Sequence, residues 1–145
     1  MNNWKRVFAG LITMAGSASL YQLIEHGVPI RREYTVEVPE GLAGLRILLI
    51  SDLHCNPLIC SNKAVIKRLK EEQPDVILLA GDMVSKYGKP SNLRVLPFLQ
   101  QLSRIAPVIY GLGNHEAKLR EQFPEQFTVY RKQVEQMGIY WLDNK

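Results

Sequence analysis

The sequence is poor in the residues that staple small domains together. Two cysteines, Cys55 and Cys60, in 145 residues exclude a disulfide scaffold. A bridge between them or a thiolate on a metal are alternatives to two separate small side chains, the expected state. No Gly-x-Gly-x-x-Gly loop follows the first apolar strand, which counts against a dinucleotide binder. Low-complexity segments and flexible linkers are also missing. Lysine and arginine number 18 against 14 acids, a net charge of +4. No basic stripe interleaved with aromatics appears, so no nucleic-acid partner is expected. The charge balance suits an anionic substrate or an anionic membrane surface. With 46% hydrophobic residues, the length fits one modest globular domain and an accessory segment.

That accessory segment is the first 32 residues. Residues 7–24 carry no charge, and as a helix they would reach about 27 Å, slightly short of the hydrocarbon thickness of a bilayer. Trp4 and Tyr21 stand near the ends, where aromatic belts lie. A retained single-span anchor is expected over a signal peptide cut near Ala15-Gly16-Ser17-Ala18-Ser19, because apolar residues continue through Leu20, Leu23 and Ile24. His26 reads as an interfacial polar residue. Lys5 and Arg6 on one side nearly balance Arg31 and Arg32 on the other, so the basic-residue bias leaves the side open. The expected location is a membrane, with the domain on its extracytoplasmic side.

The remainder, residues 33–145, repeats one plan. Residues 33–38 alternate polar groups with Tyr34, Val36 and Val38, as a half-exposed edge strand would. Ile47 to Ile50 then forms a short apolar run suited to a strand covered on both faces, ending at Ser51-Asp52-Leu53-His54. If strand geometry persists, Asp52 and His54 point the same way and could share a metal. Ser61 can cap a helix whose Val65, Ile66 and Leu69 share a face. A second apolar strand, Asp75-Val76-Ile77-Leu78-Leu79-Ala80-Gly81-Asp82, again ends on an acid, 30 residues beyond Asp52. That spacing fits a parallel crossover, which places both acids at one edge of the sheet. A buried helix face from Leu93 to Ile105 starts late or bends at Pro97. A strand from Pro107 to Gly113 follows and runs into Asn114-His115-Glu116. A last helix begins near Pro124, ends at Gly138, and delivers the strand Ile139 to Leu142.

Three successive strand ends thus carry polar, metal-capable groups, where ligands bind in open parallel sheets. Singly these motifs are weak. In this order and spacing, Ile50-Ser51-Asp52-Leu53-His54, Ala80-Gly81-Asp82 and Leu112-Gly113-Asn114-His115-Glu116 resemble the calcineurin-like metallophosphoesterase superfamily, and with the hydrophobic leader they resemble its small bacterial membrane-associated phosphodiesterases. The resemblance implies an α/β fold, the amino-terminal half of an αββα sandwich preceded by one membrane helix. It implies two divalent ions, manganese, iron or zinc, in the complete site: Asp52 and His54 on the first, Asp82 bridging, Asn114 on the second. His115 would protonate or orient the leaving oxygen, and Glu116 would be a supporting or helix-start carboxylate rather than a ligand.

Two departures temper the resemblance. The family's further histidines come from a second half, whereas here there are three histidines in all, His26, His54 and His115. One ion in this chain is therefore an expectation alongside two. Ser85 stands where many relatives have an aspartate, which leaves the support of His115 open. The expected activity is hydrolysis of a phosphodiester, phosphomonoester or pyrophosphate, lipid- or nucleotide-linked substrates included. The alternative is a truncated, inactive membrane-attached remnant holding at most one metal. An uncovered sheet face and an unpaired last strand predict self-association.

Overall fold

The computed structural model describes residues 31–85 and 94–142. The predicted membrane segment, His26 and Leu93 lie outside them. Among the described residues no helix is long and apolar enough to cross a membrane. The chain divides after Tyr34, and the fold below belongs to the part that follows.

Four short strands, β1 (Ile47–Ile50), β2 (Val76–Leu79), β3 (Val108–Gly111) and β4 (Tyr140–Leu142), pair in the order β1-β2-β3-β4. Every pairing is parallel, with Ile47 opposite Val76, Ile77 opposite Val108 and Ile109 opposite Tyr140. Parallel neighbours cannot be joined by a tight turn, so helices fill each connection: α1 (Pro57–Cys60) and α2 (Lys63–Glu71), then α3 (Leu96–Leu102), then α4 (Asn114–Gln122) and α5 (Pro124–Gln136). The α/β, parallel-sheet reading holds.

One face of the sheet carries the core. Ile77, Leu79, Val108, Tyr110 and Trp141 are buried with Phe98 and Leu99 of α3 and Phe127, Tyr130 and Val134 of α5. The aromatic rings close this layer, with Tyr110 stacked on Trp141 at 4.4 Å between centroids. Helix α3 starts late, as Pro97 requires: proline fits the first turn, where no amide bond is lost. Gly138 ends α5 at φ +76°, a left-handed position that glycine occupies without steric cost.

Three local expectations change. Asn62, not Ser61, caps α2: its Oδ1 accepts from the Ala64 amide at 2.9 Å, while the Ser61 hydroxyl donates to the Pro57 carbonyl one turn back. Residues 33–38 form no strand; their apolar members stay exposed, Tyr34 by 77%, because an edge strand needs a neighbour to bond. Finally, Asn114 to Gln122 is a full helix, where the sequence assigns no more than a turn or, at Glu116, a helix start. Its only buried residues are Glu116 and Leu119, too few for a hydrophobic period.

Candidate metal centre

The carboxyl ends of β1, β2 and β3 lie side by side, and backbone bonds continue the alignment beyond the strands. The Ala80 amide donates to the Ile50 carbonyl at 2.8 Å, His54 to Asp82 at 2.9 Å and Cys55 to Met83 at 2.8 Å. The first two loops therefore leave the sheet as a joined pair. Asp52, His54 and Asp82 have φ values of 55°, 48° and 55°. Such left-handed residues cost on the order of 1 kcal/mol or more when they carry side chains, and they cluster at functional sites. The Asp52/His54 pair is consequently not held by strand alternation. A left-handed turn brings them together, with Asp52 Oδ1 3.9 Å from His54 Nε2.

Two glycines let the second and third loops touch. A Cβ on Gly81 would lie 2.5 Å from the Gly113 amide nitrogen, and one on Gly113 would lie 2.9 Å from Asp82 Cγ. Any side chain at either position would push Asp82 out of place. With both bare, the Asp82 carboxylate accepts the His115 amide at 2.8 Å, at the first turn of α4, where orphan amides favour an anion.

The result is a cluster of three. Ligand atoms of His54, Asp82 and His115 lie within 4.8 Å of one another, and the two imidazole centroids are 4.5 Å apart. His54 is exposed, the other two half-buried. Two nitrogens and a carboxylate oxygen form a donor set that suits a first-row divalent ion. His115 Nδ1 fits that reading: it is buried without a hydrogen-bond partner, and a buried polar atom normally has one. Asp52 adjoins the cluster through His54, and Asn114 begins α4 next to His115. The structure thus groups His115 with the possible ligands, whereas the resemblance implies work on the leaving oxygen.

Beneath the cluster lies the residue whose weight the sequence understated. Glu116 is fully buried. Its Oε2 accepts the amides of Asp82 at 2.8 Å and Gly113 at 3.0 Å; its Oε1 accepts those of Met83 at 2.8 Å and Val84 at 3.0 Å and the Tyr110 hydroxyl at 2.8 Å. The Tyr110 oxygen lies 2.9 Å from that of Tyr130. Since Tyr110 gives its proton to Glu116, Tyr130 is the donor between them. Burial pushes both phenols well above their ordinary range, so both stay protonated as donors. A visible signal existed: an acid three residues into a helix, after its cap, is placed to reach back to the cap amide.

Cys55 and Cys60 are buried thiols, not a disulfide. Cys55 donates to the Met83 carbonyl at 3.4 Å. Burial pushes Cys55 up and Cys60 up to about 12, which disfavours thiolate ligation.

Residues 45–144 match the family model described as calcineurin-like phosphoesterase. The metallophosphoesterase YkoQ of Bacillus subtilis (strain 168) is 30% identical over 118 residues, covering 77% of this chain and 42% of the relative. YkuE of the same organism is 26% identical over 114 residues, 74% of this chain and 40% of the relative. A transmembrane protein with a metallophosphoesterase domain from Danio rerio is 25% identical over 105 residues, 71% of this chain and 23% of the relative. The chain therefore spans less than half the length of these curated relatives.

Proposed function

Because the chain belongs to the calcineurin-like phosphoesterase family, we propose that residues 33–145 are the amino-terminal half of a dinuclear-metal phosphoesterase domain acting at or near a membrane. The observation that carries the reading is the convergence of His54, Asp82 and His115 from three successive strand ends. Asp52 and His54 would hold one divalent ion, Asp82 would be shared and Asn114 would hold the second. When bound, the ions supply charge neutralisation at the phosphoryl oxygens and a nucleophile at neutral pH.

The chain's own groups do the rest. Asp82 is the acid at the middle strand end, with neighbours on both sides, so it alone is placed to be shared. The His115 amide orients that carboxylate from one side. The His115 imidazole, half-buried beside His54, is suited to hand a proton to the leaving oxygen or to orient it. The substrate is a phosphodiester, phosphomonoester or pyrophosphate. The membrane assignment is supported by the uncharged run at residues 7–24 and by the printed names of the transmembrane relatives. The αββα architecture is supported by the bare apolar face of the sheet, which a second sheet would cover.

The test is hydrolysis of a chromogenic phosphodiester by the 145-residue chain with manganese, beside Asp82→Asn and His115→Asn. Turnover lost at least a hundredfold in both variants is the expected result, with folding unchanged by circular dichroism. A folded, inactive wild type would favour the second reading, a chain that binds one ion without turnover. That reading draws on the single three-residue cluster among the described residues.

A further inference from the structure

We infer that Glu116 is the positioning residue of this centre: its buried carboxylate holds the Asp82 and His115 loops in the arrangement that brings their side chains to one point. The inference rests on the metal reading above and deepens it.

Three observations combine. Glu116 Oε2 takes the Asp82 and Gly113 amides together, and these two residues begin the loop segments that Gly81 and Gly113 allow into contact. One oxygen therefore pins both loops at their point of closest approach. Asp82 is left-handed at φ 55°, a conformation that persists only where the surroundings over-determine it. Its amide is held by Glu116, its carbonyl by the His54 amide and its carboxylate by the His115 amide. Of these three restraints, Glu116 alone comes from outside the candidate ligands. Its other oxygen continues the grip along the Met83 and Val84 amides.

Substitution by glutamine keeps the size and reverses one end of the hydrogen bonding. An amide nitrogen donates, yet each carboxylate oxygen of Glu116 faces two or three donors. Whichever way the amide turns, at least two loop N–H groups lose their acceptor. With the nitrogen in the Oε2 place the Asp82 and Gly113 amides lose their acceptor, and in the Oε1 place the Met83 and Val84 amides do. Either way the loop through Asp82 loosens and its carboxylate moves away from His54 and His115. Groups that orient ligands in this way typically change metal affinity by about 10–100-fold.

The experiment uses the full 145-residue chain, with manganese as the probe. Manganese affinity is read from the loss of the free-ion EPR signal, stability from thermal melting, and loop closure from hydrogen exchange at the Asp82 and Gly113 amides. In a folded Glu116→Gln, affinity falls at least about tenfold and both amides exchange at least tenfold faster than in wild type. A merely structural role would lower the melting temperature and leave the affinity of the folded chain unchanged; that result, with unchanged exchange, overturns the inference. If Glu116→Gln does not fold, Tyr110→Phe replaces it, removing one donor of five, with a threefold fall expected and an unchanged affinity overturning the proposal. Tyr130→Phe leaves every Glu116 donor in place and serves as the control. Should wild type bind no manganese while Glu116→Gln still speeds exchange at both amides, the metal reading fails and the positioning role stands.

Discussion

The two faces of the sheet are made from alternate residues of the same four strands, yet one is sealed and the other open. Toward the helices, Leu79 is 1% exposed and Tyr110 is fully buried; on the far side, Leu49 is 64% and Tyr140 67% exposed. The chemistry of the two faces is the same. Ile47, Val76, Leu78, Ile109 and Leu142 on the far side are as apolar as the residues that form the core, and all-parallel sheets are ordinarily covered on both faces. The difference teaches that hydrophobic content of a strand records what a face is meant to meet, not what it meets in this chain.

The sharpest way to break the comparison is to make one change on each face. Leu79→Ala removes a fully buried side chain and should cost about 2–5 kcal/mol. Leu49→Ala, on β1 and mostly in solvent, should stay within about 0.5 kcal/mol. Urea denaturation of both variants measures the pair. Equal losses would mean that the far face is already covered in solution by another copy of the chain, and sedimentation would then show the association that its exposed apolar surface predicts.

A second test concerns protons on the sealed side. Cys60 has its ordinary value of 9.0 raised to about 12, mainly by burial. The unfolded chain therefore releases this proton first, so stability is fully present below about pH 9 and declines as pH rises toward 12. Tyr110 and Tyr130, also raised by burial, add to the loss above pH 10. In Cys60→Ala the decline between pH 9 and 12 should be shallower, as read by melting temperature against pH. An unchanged slope would mean that the thiol is reached by water in the folded state.

How much of this was legible beforehand depended on the kind of force involved. Apolar runs at Ile47, Val76, Val108 and Tyr140 marked the strands because burial writes itself into composition, and parallel spacing then placed Asp52, Asp82 and Asn114-His115 at one edge. Backbone geometry left weaker traces. Nothing in the letters of Ser51-Asp52-Leu53-His54 distinguishes an extended exit from a left-handed turn, and Asn62 and Ser61 are comparable caps until the Ser61 hydroxyl is seen committed to Pro57. Glu116 was half legible: its place three residues past a helix cap could be read, but four of its five partners are backbone amides, and amides belong to every sequence.

The smallest expected effect tests how evenly the sealed face is sealed. Helices α3 and α5 bury several residues outright, whereas α2 buries none; Val65, Ile66 and Leu69 only lean on the core. A short helix with partial packing depends more on its ends. The Asn62 side chain satisfies the Ala64 amide, so Asn62→Ala should cost about 1 kcal/mol, with Ser61→Ala costing less. Hydrogen exchange within residues 63–71 should speed up in Asn62→Ala while the amides of α3 and α5 keep their protection. Loss spread equally over all three helices would mean that α2 opens only with the whole domain, and that its looser packing is no weak point in the covered face.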